Sequence, residues 1–128
     1  MNEKLPYASS YQRLVAYQDA VELADGIFQK TLAFPKEERY SLTDQIRRSS
    51  RSIGAQIAEA WGKRRYIKHF ISKLSDAYAE TYETEHWVLI AHNCGYFSDD
   101  VFHNLQKDCR KICQLIGGIM SKAERFCK

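Results

Sequence analysis

Apolar residues return at intervals of three and four along almost the whole chain, and no convincing strand pattern competes, so the pattern predicts an all-α protein. Leu14, Tyr17, Val21, Ala24, Phe28 and Thr31 mark a first helix over about residues 11–33. Phe34-Pro35 ends it, because proline lacks an N–H and disfavours helical geometry in the residue before it. Ser41 and Asp44 resemble a capping box with Asp in the place of Glu and open a second helix over about 41–62. A third helix, about 66–93, carries Phe70, Leu74, Ala77, Thr81, Thr84, Val88 and Ala91 along one stripe and runs up to Gly95, a natural terminator. Ser98 as N-cap, with Asp99 and Asp100 at the positive end of the helix dipole, opens a fourth over about 98–126. Its stripe is Phe102, Leu105, Cys109, Ile112, Ile116, Ile119, Ala123 and Phe126. Short connections make sequential helices neighbours, so the expected fold is one domain over residues 1–128, an antiparallel up-down-up-down four-helix bundle.

The second helix carries two faces. At about 100° per residue, Leu42, Ile46, Ser49, Ile53, Ile57 and Ala60 fall in one arc, and Arg47, Arg48 and Arg51 centre nearly opposite it. Beyond Arg51 the outward face continues as Ala55, Ala58 and Gly62, small residues where a solvated face would carry Lys, Glu or Gln. That pattern predicts close approach by another backbone beside a basic patch. In the fourth helix, Gly117-Gly118 costs roughly 1 kcal/mol per glycine relative to Ala, and close helix packing is the expected compensation, with a kink as the alternative.

Charge sharpens this picture more than composition does. A hydrophobic fraction of 45% and a charged fraction of 27% are ordinary for a soluble domain, and no apolar run approaches the roughly 18 residues of a membrane span. Net charge is +3, yet residues 47–68 hold seven cations against Glu59 alone, a local surplus of six. The rest of the chain carries twelve basic and fifteen acidic residues. Arg47, Arg48, Arg51, Lys63, Arg64, Arg65 and Lys68 are therefore candidates for binding RNA or DNA phosphates, with Tyr40, Trp61 and Tyr66 close by in sequence as stacking faces. A solvated helix face explains the same run without a ligand. Asp76, Glu80 and Glu83 form an acidic stripe on the third helix, of the sign to pair with those arginines across a subunit interface or within the chain.

Catalytic and metal readings find little support. Glu83 and His86 make one Glu-x-x-His, but a di-iron carboxylate bundle needs a second copy on another helix, and neither His69, His92 nor His103 has a Glu three residues before it. No Ser-His-Asp or Cys-His set is readable from spacing, and no glycine-rich loop joins a strand to a helix. Cys94, Cys109, Cys113 and Cys127 form no CxxC pair and read as structural thiols in a reducing compartment. The first residues, MNEKLPYASSYQ, lack the segments of a secretory signal, so the expected location is the cytoplasm. We expect a protein without catalytic residues, metal or cofactor.

The stretch FPKEERYSLTDQIRRSSRSIGAQIAEAWGKRR resembles the signature region of the four-helix bundle proteins encoded by intervening sequences in bacterial large-subunit ribosomal RNA genes. The likeness begins at Leu14 to Gln18 and runs through Phe34-Pro35, Glu38, Tyr40, Leu42, Gln45 to Arg48, Ser52-Ile53 and Ile57 to Glu59. It departs where the family shows Pro, Asn and a final Gly, replaced here by Gly54, Gln56 and Ala60, so a less kinked helix is expected and Gln56 is not carried over as a site. The resemblance implies a homopentameric ring with a positively charged surface for nucleic acid and no catalytic activity. Related bundles are accessory proteins of the reverse transcriptases of diversity-generating retroelements, which adds a reverse transcriptase to the implied partners. In such an oligomer Arg51, Ala55, Ala58 and Gly62 would meet a neighbour, with Asp76, Glu80 and Glu83 facing its arginines.

Overall fold

The computed structural model describes residues 9–127; the remaining residues of the expected domain, 1–8 and 128, lie outside them. Four α-helices follow one another, α1 (Val15–Thr31), α2 (Leu42–Gly62), α3 (Ile67–Asn93) and α4 (Asp99–Ser121), with no strand among the described residues. Short 3-10 turns stand at Tyr11–Arg13, Lys36–Glu38 and Ala123–Arg125.

Both ends of the chain are less helical than periodicity predicts. Leu14 is extended, at φ −70° and ψ 127°, so residues 11–13 form a separate turn and α1 starts at Val15. Lys122 leaves helical geometry, at φ −117° and ψ 29°, and the last stretch becomes a 3-10 turn that packs back on α3 and stacks Phe126 over Phe70. Periodicity reports which residues face inward, and it continues unbroken through a turn that keeps the same face buried.

Capping divides in the same way. Ser98 Oγ accepts from the Val101 N–H at 3.2 Å, as its position predicts. Gly95 adopts φ 81° and closes α3, its N–H donating to His92 and that of Tyr96 to Ala91, the two bonds of a Schellman end. No capping box forms at Ser41. Its hydroxyl donates instead to Glu38 Oε1 at 2.7 Å, and Glu38 Oε2 accepts from Tyr96 Oη at 2.9 Å, tying the α1–α2 connection to the α3–α4 connection. These bonds hold the Glu38 carboxyl below its ordinary value, the Ser41 bond contributing most.

The core stripes of α2 and α3 are buried throughout, and that of α4 is buried from Leu105 to Ala123. Of the stripe expected in α1, Leu14, Ala24 and Thr31 are buried and Tyr17, Val21 and Phe28 are not; Ala16, Ala20, Leu23 and Ile27 complete the buried arc. Apolar residues cover more than one arc of this helix, so a three-and-four spacing fits two adjacent stripes. Contacts between helices link residues in a consistent order. Thr84 Oγ1 lies 3.0 Å from Ser49 Oγ, Lys73 Nζ lies 2.9 Å from Glu59, Arg110 Nε donates to Glu85 at 3.1 Å, and Lys111 Nζ lies 3.2 Å from Asp19.

Candidate nucleic-acid interface

The seven cations expected to form one basic surface fall into three groups. Arg47 and Arg51 turn towards α1, their guanidinium carbons 4.6 and 5.3 Å from the centre of the Phe28 ring, and Arg47 Nε donates to Thr31 Oγ1 at 2.8 Å. Arg48, one residue round the helix, turns towards α3 and pairs with Glu80 at 3.5 Å and with Glu83. The three arginines flank the helix instead of centring opposite its core, because the flexible guanidinium reaches the nearest ring or carboxylate. Arg48 is thereby neutralised within the chain. Burial alone would raise the Glu83 carboxyl, but hydrogen bonds from Trp87 Nε1 and Arg48 outweigh it and hold the carboxyl below its ordinary value.

The acidic stripe is likewise occupied from inside. Glu80 and Glu83 hold Arg48, and Asp76 lies 3.5 Å from Lys73. These acids need no neighbouring subunit for their pairing. Glu83, the carboxylate of the Glu-x-x-His, is spent on Arg48 and Trp87, and no cluster of three or more His, Cys, Asp or Glu is placed to hold a metal among the described residues.

The third group is the α2–α3 connection, which lies more than a dozen residues along α2 from Arg48, roughly 20 Å at 1.5 Å per residue. Arg64 folds back over Trp61, its guanidinium 3.7 Å from the ring centre and its Nε donating to the Trp61 carbonyl at 3.0 Å. Lys63, Arg65 and Lys68 are exposed and pair with no acid among the described residues. Tyr66 is 57% exposed, with Arg65 near its ring and His69 beside it, so a flat aromatic face lies open within the cationic turn.

Sequence reasoning missed a contribution from the far end of the chain. The turn at Ala123–Arg125 packs on α3, with Phe126 stacked over Phe70 in the first turn of that helix, so Lys122 and Arg125 join the same end of the molecule as Lys63 to Lys68. No local signal marks this. Only the return path of α4 brings residues so distant in sequence together.

The small outward face also acquires a partner that the sequence did not show. Arg51, Ala55 and Ala58 border a groove of about 330 Å³ whose other wall is Tyr17, Val21 and Ala24 of α1, with Gly54 lining it from α2. Val21 is 38% and Val15 51% exposed, so this is an apolar surface open to solvent in the single chain. Gly62 stands at the end of α2 with open space around it. Gly117 and Gly118 differ from expectation, for a Cβ built on either meets no heavy atom within 4 Å. Of the four thiols, Cys109 is buried and Cys94 exposed, so Cys94 is not the packed thiol expected; burial pushes Cys109 up to about 12 and Cys113 up to about 11. No helix among the described residues is long and apolar enough to cross a membrane.

The family model described as 23S rRNA-intervening sequence protein matches residues 12–118, the whole four-helix region but the last turn of α4. A crystal structure of a protein with unknown function from the S23 ribosomal protein family of Bacteroides thetaiotaomicron is similar at a TM-score of 0.74 and 25% sequence identity, over 84% of this chain and 96% of that one. No curated protein matches the sequence. The chain therefore belongs to the 23S rRNA-intervening sequence protein family.

Proposed function

We propose that this chain is a non-enzymatic, cytoplasmic, homo-oligomeric bundle that holds the backbone of RNA or DNA against its basic end. The observation that carries the reading is the cationic turn Lys63, Arg64, Arg65 and Lys68, three of its charges without acidic partners among the described residues and Tyr66 open between them. Phosphate contacts of this kind release condensed counterions and give binding a steep salt dependence. Arg47, Arg48 and Arg51 do not belong to this surface, since they lean on Phe28 or pair with Glu80 and Glu83. Helix order supports an antiparallel up-down-up-down arrangement: Ser49 meets Thr84 while the later Glu59 meets the earlier Lys73.

Oligomerisation rests on the groove between α1 and α2. Small residues on one wall, and Tyr17 and the exposed Val21 on the other, fit a second copy of the chain, and a pentameric ring would gather five basic ends into one multivalent surface. That same groove favours a second reading, a structural or adaptor oligomer that binds no nucleic acid and docks a protein partner such as a reverse transcriptase.

Titrating labelled single-stranded and structured RNA at several salt concentrations tests the first reading. Replacing Arg64, Arg65 and Lys68 with Gln flattens the slope of log affinity against log salt by about 2, at roughly 0.7 per contact on single strands, with the helical circular dichroism unchanged. An unchanged slope removes the turn from the site. Arg51→Glu then tests the groove: loss of the oligomer assigns Arg51 to the subunit contact, and a persistent oligomer removes it from that contact.

A further inference from the structure

A cavity of about 420 Å³ lies at the other end of α2, where the end of α1, the turn at Lys36–Glu38 and the first turn of α2 meet. Its wall holds three cations, Lys36, Arg39 and Arg47, against the single carboxylate of Asp44, a surplus of two positive charges. Lys36 and Arg39 pair with no acid among the described residues. Arg47 is fixed in place, its Nε donating to Thr31 Oγ1 and its guanidinium resting over Phe28, so its terminal nitrogens remain available to a ligand. Thr43 completes the wall. It is 7% exposed, and its Oγ1 has no hydrogen-bond partner. Buried hydroxyls are almost always paired, and this one leaves a donor in the cationic wall for an acceptor supplied from outside the chain.

We propose that this cavity binds a phosphate monoester carried on a nucleoside. A monoester bears close to two negative charges near neutral pH, which matches the surplus of the wall, whereas a backbone diester bears one. Guanidinium forks meet phosphate oxygens in pairs, and the Thr43 hydroxyl donates to a remaining oxygen. The positive end of the α2 dipole adds to the attraction. The volume is within the range of small-molecule sites and exceeds the need of phosphate alone, and Tyr40, 83% exposed at the rim, offers a ring on which a base stacks. Two sources carry this chemistry, a free nucleotide and the 5′-phosphorylated end of an RNA strand. The site is remote from the basic turn and does not depend on it, since the 21 residues of α2 separate them by on the order of 30 Å.

Calorimetry on the full chain with adenosine 5′-monophosphate, adenosine, inorganic phosphate, and a short RNA with a 5′-phosphate or a 5′-hydroxyl tests the assignment. The phosphorylated member of each pair binds at least about tenfold more tightly, and Thr43→Val and Arg39→Gln each weaken it about tenfold, the effect of losing one good hydrogen bond or charge. Binding of the free nucleotide assigns that source, and binding of the phosphorylated RNA alone assigns the strand end. Neutralising Arg64, Arg65 and Lys68 leaves the nucleotide affinity unchanged, which separates this site from the basic turn. Equal binding of phosphorylated and unphosphorylated probes overturns the proposal. So does an affinity indifferent to Arg39→Gln, an exposed position whose substitution leaves the fold intact.

Discussion

Replacing Gly117 and Gly118 together with alanine will stabilise the single chain. Both glycines lie in α4 beside the buried Ile116 and Ile119, turned off the core stripe, and a Cβ at either position meets nothing within 4 Å. The substitution therefore removes a conformational penalty without creating a clash. Glycine in a helix interior is about 0.8–1.0 kcal/mol less favourable than alanine, so the pair contributes about 1.8 kcal/mol. At about 2.1 cal/mol/K per residue, a chain of 128 residues unfolds with an entropy of about 270 cal/mol/K, and the midpoint rises by about 7 °C. Thermal melts followed by circular dichroism at several protein concentrations measure it, since assembly makes the midpoint concentration-dependent. An unchanged or lowered midpoint refutes the reasoning. A fall that deepens with concentration would show that another chain packs closely on this face.

Three further outcomes follow from particular contacts. Ile57→Ala, at a fully buried position of α2, lowers stability by about 2–5 kcal/mol, read as a shifted urea midpoint with an unchanged slope. Glu83 is depressed in the folded state, so the stability it contributes is present above its unfolded value and is lost as pH falls through the folded one; Glu83→Gln reduces the loss of stability between pH 7 and pH 3, and an identical loss in both proteins would remove the Arg48 and Trp87 contacts as its cause. With a thiol reagent at pH 8, the exposed Cys94 reacts first, and Cys109 reacts only once denaturant unfolds the chain; modification of all four at one rate contradicts the burial.

The helices of the bundle were legible because burial follows their own period. The stripes read from α2 and α3 are buried residue for residue, and the ends at Gly95 and Ser98 are set by backbone chemistry local to a few positions. Half of the α1 stripe, Tyr17, Val21 and Phe28, was misplaced because two neighbouring arcs of that helix are apolar, and only the approach of α2 decides which of them is covered. The candidate site was legible in part. The run from Lys63 to Lys68 is contiguous and stays together at one turn, and its residues are found in any fold that keeps the turn exposed.

What the sequence by itself determined is the helical class, the two interior helix faces, the family signature and the concentration of positive charge, since each is carried by residues within one or two helical turns of one another. The tertiary structure decided where each charge ends. Arg48 is neutralised because the return of α3 sets Glu80 and Glu83 beside it, and Lys122 reaches the basic end because α4 closes the bundle there. The orphan Thr43 hydroxyl lies in a cationic cavity because α1 and α2 meet around it. Electrostatic pairing and burial depend on distances of a few ångströms between residues far apart in the chain, and only the packing of the helices sets those distances.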